Sequence, residues 1–451
     1  MEKISAIADI REIPGDDIPA DSWDWLLRAA ILFGLAVIAY ASLCGGIFSP
    51  VFNKVSASRL AKILLRPSLM WGAMGVVFLF FRTFLWFRYR PIPAATFGKA
   101  PFLTVIIPAF NEGPMVEKTI DSVAAAVYPR DRLEIFVVDD GSKDDTWMHI
   151  QHAAMRHPGL VTTVRFRKNR GKRSALEEGF RKAKGEIAVT IDSDSVITPS
   201  TLLAMAGPFR DDRVGAVAGK VAVYNREQGV IPKMLHVKYM LSFDFLRAVQ
   251  STYSTVYCCP GALAAYRMAA VRDVLGEWIE QSFLGVRCTY GEDRSLTNYI
   301  LSRGYDTVYQ RSAVVYTIVP RTYSKLTKMF LRWDRSYVRE ELRLVRIAWR
   351  RKPGARLITL WDLAIKNMRY PIGYATLALL VMLSVSDPTT ILRLLFAIGL
   401  MALFNMFYYL RSERSWDFLY GMLYAYFSFF ALFWVFPWAV LTVRSRSWMT
   451  R

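Results

Sequence analysis

Glu186-Ile187-Ala188-Val189-Thr190-Ile191-Asp192-Ser193-Asp194 is the stretch that decides the fold. Its apolar and β-branched run reads as a buried β-strand, and the strand ends in an Asp-x-Asp pair. Side chains alternate along an extended chain, so Asp192 and Asp194 point to the same side. With no His or Cys beside them, they are hard oxygen ligands of the kind that Mg²⁺ or Mn²⁺ takes together with a phosphate. A lone Asp-x-Asp is more often a capped turn, so the reading depends on what surrounds it.

Upstream, strand and helix signals alternate. Residues 102–108, 133–138 and 161–166 read as strands; 115–127, 144–156 and 174–184 have helical spacing. This order predicts an α/β domain, a Rossmann-like and mostly parallel sheet with helices on both faces. Ligands of such sheets bind beyond the carboxyl ends of the strands. Asp139-Asp140 and Asp192-Ser193-Asp194 both stand at such ends.

Apolar residues make up 53% of the 451-residue chain and gather toward its two ends. Residues 25–48, 69–87, 371–386, 391–410 and 418–443 are candidate membrane spans. The expected organisation is a polar tail over 1–25, two spans within 26–90, and a catalytic-type domain over 98–320. Amphipathic interfacial helices follow over 321–368, and further spans over 369–451. An acidic stretch precedes the first span and no small-residue cleavage site follows it, so it is not read as a secretory signal. The expected location is the cell (inner) membrane, multi-pass, with the central domain cytoplasmic. The loop 49–67 would then be external, yet it carries Lys54, Arg59, Lys62 and Arg66, against the positive-inside rule. Three C-terminal spans would also leave the C-terminus outside, unless a bend at Pro437 or a re-entrant segment returns it.

The net charge is +20. Its distribution follows membrane boundaries and argues for a lipid bilayer and against nucleic acid as the partner. Arg335, Arg339, Arg343, Arg346 and Arg350 recur every three or four residues and share one helical face, as suits an anionic leaflet. The four cysteines, Cys44, Cys258, Cys259 and Cys288, have no CxxC spacing and indicate neither a zinc site nor a disulfide framework.

The strand-end residues fit transfer from a nucleoside diphosphate sugar. Glu112, Asp139 and Asp140 can accept hydrogen bonds from a base or ribose. Lys172 and Arg173, in Asn169-Arg170-Gly171-Lys172-Arg173, supply cations for a diphosphate. Asp192 and Asp194 suit a metal and the donor. Glu292 and Asp293, opening a helix after Gly291, offer a general base for an acceptor hydroxyl. Arg332 can pair with the diphosphate, and the Trp333 indole can stack under a sugar. Singly, each has a plain structural reading as a cap, a turn or a packing contact.

From about residue 100 to 345 the chain resembles the processive family 2 glycosyltransferases of membranes. It is most similar to hyaluronan synthases and rhizobial chitin-oligosaccharide synthases. The resemblance is carried by Gly219-Lys220-Val221 through Asn225, residues 243–250, and Cys258-Cys259-Pro260-Gly261-Ala262-Leu263 with Tyr266-Arg267. Trp278, Phe283-Leu284-Gly285, Gly291-Glu292-Asp293-Arg294 and Arg332-Trp333-Asp334-Arg335-Ser336 complete it. It implies a GT-A domain, a UDP-sugar donor, a divalent metal, inverting β-transfer, and secretion of a growing polysaccharide through the enzyme's own helices. It further implies that Asp140 contacts the nucleotide, Asp192 the donor and Asp194 the metal. Asp293 is then the base, and Arg332 and Trp333 the acceptor-side motif. Cys258 matches a cysteine near the active site of hyaluronan synthases, and Trp448-Met449-Thr450-Arg451 resembles a Trp-Gly-Thr-Arg gate. Two departures stand out. Met329 replaces the Gln of Gln-x-x-Arg-Trp, and Met449 replaces the Gly of the gate. The rival readings are a non-processive transferase acting on a lipid carrier and a non-catalytic membrane subunit.

Overall fold

The computed structural model describes residues 59–445, with scattered positions between 25 and 44. The tail before Trp25, most of the first expected span, the segment 45–58 and Trp448-Met449-Thr450-Arg451 lie outside the described residues. Helix α1 (Arg59–Arg88) carries a stretch, Met70–Arg88, long and apolar enough to cross a membrane. Because α1 begins at Arg59, the basic loop expected over 49–67 is shorter: Arg59, Lys62 and Arg66 belong to the helix.

The alternation then appears as β1 (Leu103–Ala109), α2 (Met115–Ala124), β2 (Leu133–Asp139), α3 (Thr146–Arg156), β3 (Val161–Arg165), α4 (Lys172–Lys182) and β4 (Ile187–Thr190). Next come β5 (Ser195–Ile197), α5 (Thr201–Ala206), β6 (Val214–Val223), α6 (Val230–Tyr239), α7 (Leu246–Ser251), β7 (Ala264–Arg267) and α8 (Met268–Ile279). A hairpin of β8 (Ser282–Phe283) and β9 (Val286–Arg287), then α9 (Glu292–Ser302) and β10 (Asp306–Thr317), complete the domain. The main sheet has the order β3-β2-β1-β4-β7-β6-β10-β5. Strands β3, β2, β1 and β4 are mutually parallel, as are β6 and β10; β7 and β5 run antiparallel to their neighbours.

Every residue of β1 and β4 is buried. Such continuous apolar runs are what a strand covered on both faces requires. The chain builds outward from β1 through β2 to β3 on one side, then reverses to β4 on the other. A crevice opens at that reversal, outside the strand ends. Asp139 closes β2 there, and Asp192 and Asp194 follow β4.

Helices α10 (Tyr323–Trp349), α11 (Pro353–Ser386), α12 (Thr389–Glu413), α13 (Phe418–Ala431) and α14 (Val435–Leu441) follow the sheet. Segments Pro353–Val385 and Thr389–Glu413 are long and apolar enough to cross a membrane. Helix α11 runs unbroken through Pro371, across the boundary expected near 369. Helices α13 and α14 pass the same test only as a pair, bent by 48°. The break lies at residues 432–434, not at Pro437, which sits inside α14.

The arginine face of α10 also differs from expectation. Arg335 and Arg339 are buried against the protein, donating to Thr442 Oγ1 at 3.0 Å and to the Tyr290 carbonyl at 2.6 Å. Arg343 lies 4.0 Å above the Tyr299 ring. Leu342, Val345 and Trp349 are exposed instead, beside Arg346 and Arg350. The buried Tyr290 carbonyl and the Glu340 carboxylate draw Arg339 inward, and the Thr442 hydroxyl receives Arg335, because unpaired polar groups there are costly. The helical segments are tied to the sheet by polar contacts. Lys220 of β6 meets Glu413 of α12 at 3.0 Å, and Thr83 of α1 meets Tyr408 of α12 at 2.6 Å.

Candidate active site

The loops after β1 and β2 are laced together. Glu112 and Gly113 each donate a backbone N–H to Thr146 Oγ1 at 2.8 Å, and Lys143 N donates to Asn111 Oδ1 at 2.9 Å. Asp139 accepts from Ser142 N at 3.0 Å and pairs with Arg165 Nε at 3.1 Å. Asp140 takes Arg170 N at 2.7 Å on one oxygen and Gly171 N at 2.8 Å on the other. Burial raises the Asp140 pKa, and the two amides only partly offset it. Both acids thus hold the walls of a cleft of about 660 Å³, lined by Lys143, Arg165, Arg167, Lys168 and the Gly141-Ser142 turn. Asp140 also fixes the turn that begins α4, and so places Lys172.

Lys172 stands at the centre of the carboxylates. Its Nζ contacts Asp192 Oδ1 and lies 3.2 Å from Glu292 Oε1. Burial alone would lower its pKa; Asp192, Glu292 and Asp293 together hold it raised. Glu292 is nearly enclosed. Burial would raise its pKa, but Lys172, its own backbone N–H and the nearby Arg332 charge bring it below the usual range. Asp192 moves the other way. Burial raises it, Lys172 opposes this, and the Asp194 charge adds to the rise. Asp194 is buried and accepts from Ser195 Oγ at 3.2 Å and Thr317 Oγ1 at 3.3 Å.

Asp293 opens α9. Its Oδ1 caps Arg294 N at 2.7 Å, and its Oδ2 accepts from Gly261 N at 3.2 Å, with Cys258 Sγ at 3.7 Å. A Cβ on Gly261 would sit 2.7 Å from Lys172 Nζ, so a side chain there would push that ammonium off its place. Gly291, at φ +73°, lets Ser336 of α10 press against the start of α9. The segment around Glu292 and Asp293 is thereby docked on the helix bearing Arg332 and Trp333.

Trp333 lies in an aromatic nest, its ring 5.7 Å from Phe330 and 6.2 Å from both Tyr239 and Phe243. Met329 joins it through Sδ, 3.9 Å from the Tyr239 hydroxyl. Lys238 Nζ stands 4.9 Å above the Phe330 ring and 5.7 Å from Trp333.

Residues 104–275 match the family described as Glycosyl transferase family 2. An N-acetylglucosaminyltransferase of Azorhizobium caulinodans is 30% identical over 357 residues, covering 78% of this chain and 87% of that protein. The chain belongs to glycosyltransferase family 2. A hyaluronan synthase of Streptococcus pyogenes is 28% identical over 388 residues, 85% of this chain and 90% of that protein. Several rhizobial N-acetylglucosaminyltransferases match over a shorter stretch, such as that of Rhizobium leguminosarum bv. viciae at 35% over 243 residues, 54% of this chain and 57% of that protein. Among solved structures, mannosyltransferase PcManGT from Pyrobaculum calidifontis, in complex with GDP-Man and Mn²⁺, superposes with a TM-score of 0.58. It is 22% identical and covers 80% of this chain and 99% of that one, a likeness in fold.

In this family 2 glycosyltransferase the fold brings Lys172, Asp192, Asp194, Glu292, Asp293 and Arg332 together. Arg173 is placed differently from expectation. Its terminal nitrogens donate to the Trp278 carbonyl at 2.6 Å and to Gln281 Oε1 at 3.1 Å, and its plane lies 5.0 Å from the Trp278 ring. Burial lowers its pKa. It bolts α4 to α8 and offers those nitrogens to the protein, not to a diphosphate. Sequence reasoning missed Gly261 N, Thr317 and Lys238 as neighbours of these groups. Gly261 stood in a quoted motif, whereas Thr317 and Lys238 carry no local signal and arrive through β10 and α6.

Proposed function

We propose that this glycosyltransferase transfers sugar from a UDP-sugar to the end of a growing β-linked polysaccharide, with inversion, while embedded in the cell membrane. The observation that carries the reading is the junction of two groups of side chains. A carboxylate and lysine centre, Asp192, Asp194, Lys172, Glu292 and Asp293, is joined to an aromatic nest around Trp333 by Arg247, which lies 4.1 Å from the Phe243 ring and donates to the carbonyl of Cys258, the thiol beside Asp293. Helix α11 and the α13–α14 pair, of membrane-spanning length, pack against α10, which carries Trp333. The names of two relatives, N-acetylglucosaminyltransferase and hyaluronan synthase, make N-acetylglucosamine the first donor sugar to test.

Asp194 and Asp192 fit a divalent metal: two neighbouring carboxylates, hard donors without an imidazole among them, suit Mg²⁺ or Mn²⁺. Bound there, such an ion would neutralise charge on a leaving diphosphate. The cations of the cleft after β2, Lys143, Arg165 and Lys168, favour an anionic nucleotide there. Asp293 takes the proton from the acceptor hydroxyl. Its Oδ2 is oriented by Gly261 N, and Arg294 N holds the other oxygen. Glu292 stays ionised beside Lys172 and keeps that ammonium in place. Trp333 offers an aromatic face to the acceptor sugar, and Arg332 steadies negative charge near Glu292. The catalytic domain is taken to be cytoplasmic, where UDP-sugars are available.

A transferase that adds one sugar only is the second reading. Met329 favours it, since a thioether beside Tyr239 lacks the amide of the usual motif. The deciding experiment is UDP release by purified protein in detergent. UDP-GlcNAc, UDP-GlcA and UDP-Glc are supplied singly and in pairs with Mg²⁺ or Mn²⁺, and products are sized on a gel. Polymer from GlcNAc alone or with GlcA supports the proposal. Single-sugar products support the second reading, and no release with any donor sinks both.

A further inference from the structure

Three of the four histidines of the chain stand together, His149 and His152 on α3 and His157 directly after it, outside the carboxylate centre around Lys172. Two of them face one carboxylate of α2. His149 Nδ1 is 3.5 Å and His152 Nδ1 3.7 Å from Glu117 Oε1. One ligand atom from each of the three residues falls within 4.8 Å of the others. Two ligands about 2.1 Å from one tetrahedral ion are about 3.4 Å apart, so the two distances to Glu117 are close to edges of a zinc tetrahedron.

Two further observations point to a cation. His149 Nδ1 is buried and has no hydrogen-bond partner among the described residues. An unprotonated ring nitrogen this near a carboxylate oxygen is repelled by it unless a proton or a metal lies between. The other nitrogen of the same ring, Nε2, faces Asp145 Oδ2 at 3.4 Å. A carboxylate on the far nitrogen is the usual arrangement behind a metal-bound histidine; it fixes the ring and makes the near nitrogen a better ligand.

We propose that Glu117, His149 and His152 bind a Zn²⁺-class cation that clasps α2 to α3, a site separate from the carboxylate centre. Two imidazoles and one carboxylate select Zn²⁺ and its later first-row neighbours over Mg²⁺ or Mn²⁺. Water completes the tetrahedron on the exposed side, next to His152. Arg156 also approaches Glu117, at 3.5 Å, but its other terminal nitrogen is held by Asp121 at 2.7 Å and stays partnered when Glu117 turns to the ion. The clasp has a route to the nucleotide side. Thr146, three residues before His149, receives the N–H groups of Glu112 and Gly113. A bound ion would therefore stiffen the loop after β1.

The test uses full-length protein in detergent with excess Mg²⁺ to occupy the carboxylate centre. Zn²⁺ is titrated by calorimetry and Co²⁺ by its visible absorbance. One equivalent is expected to bind the wild type. His152→Ala, at an exposed position, should weaken binding at least about tenfold, as should Asp145→Asn. UDP release in zinc-free Mg²⁺ buffer should be the same for His152→Ala as for wild type. If His149→Ala/His152→Ala, with an unchanged melting curve, binds Zn²⁺ and Co²⁺ as tightly as wild type, the proposal is overturned.

Discussion

Lys172 Nζ lies 3.2 Å from Glu292 Oε1 while also contacting Asp192. One ammonium from the first residue of α4 thus joins the acid after β4 to the acid that opens α9. Lys172→Met would leave two carboxylates facing each other without a counter-charge. Turnover should fall about a hundredfold or more, the scale of losing one preorganised electrostatic group. Lys172 lowers the Asp192 pKa, so the variant's acid limb in a pH–rate profile should move to higher pH. The raised Lys172 contributes stability that is complete below about pH 10.4 and lost above it. The depressed Glu292 contributes stability that is complete above about pH 4.3 and lost below it. The loss in melting temperature should therefore be largest near neutral pH and shrink toward both limits, on the acid side as soon as the carboxylates left without Lys172 take up protons.

Asp293→Asn keeps the shape of the side chain and its place at the start of α9. It removes the base. UDP affinity by calorimetry should be unchanged, and UDP release should drop about 10²- to 10⁴-fold. Normal turnover in a folded variant would remove Asp293 from the mechanism.

Burial, and then the Asp293 charge, push the Cys258 thiol up to about 12. It is therefore protonated at neutral pH and a poor nucleophile, because the thiolate is the reactive form. Alkylation of the Cys258 peptide, followed by mass spectrometry, should be slow and should quicken about tenfold from pH 7 to 8, with no plateau, as the small thiolate fraction rises. In Asp293→Asn it should be faster, since removing the nearby anion lowers the thiol pKa.

Met329 touches Tyr239, beside Trp333, and the carboxylate centre is formed by other elements. Met329→Gln should therefore change product length on a gel and leave the KM for the sugar nucleotide within about twofold of wild type. A half-buried amide replaces a thioether there, so a stability loss of about 1 kcal/mol is expected.

Lys238 and Asp334 form a pair of semi-enclosed charges near the aromatic nest. Burial lowers Lys238 to about 8 and raises Asp334 to about 6, and each charge partly offsets the shift of the other. The raised Asp334 favours the folded state below about pH 3.9, an advantage lost as pH rises through 6. The depressed Lys238 favours it above about pH 10.4, an advantage lost as pH falls through 8. Both groups are charged, at a cost to stability, between those two values. Lys238→Met/Asp334→Asn should melt at a higher temperature than wild type, with the largest gain near pH 7. A gain confined to pH extremes would contradict this.

Much of the sheet was legible because its strands are buried on both faces. Ile187-Ala188-Val189-Thr190 and Leu103-Thr104-Val105-Ile106-Ile107 have few polar interruptions, and their period leaves little choice of element. The strand-end acids were legible for the same reason: a carboxylate directly after such a run has to emerge at the edge of the sheet. The arginines of α10 were misjudged. A periodic basic face states that one side of a helix is charged, and does not say whether water, lipid headgroups or buried carbonyls receive the charge.

By itself, then, the sequence determined the α/β class, the membrane-length helices, and the placing of Asp139, Asp140, Asp192 and Asp194 at carboxyl ends of strands. These follow from local periodicity, which neighbours in the chain dictate. Only the tertiary structure decided which charges meet. Lys172 found Glu292 rather than solvent, Arg173 turned to Gln281, Thr317 reached Asp194 from the neighbouring strand, and His149 and His152 closed on Glu117. Such pairings join residues far apart in the chain. They depend on strand order and helix docking, and the free energy of bringing buried charges together is settled only when every neighbour is in place.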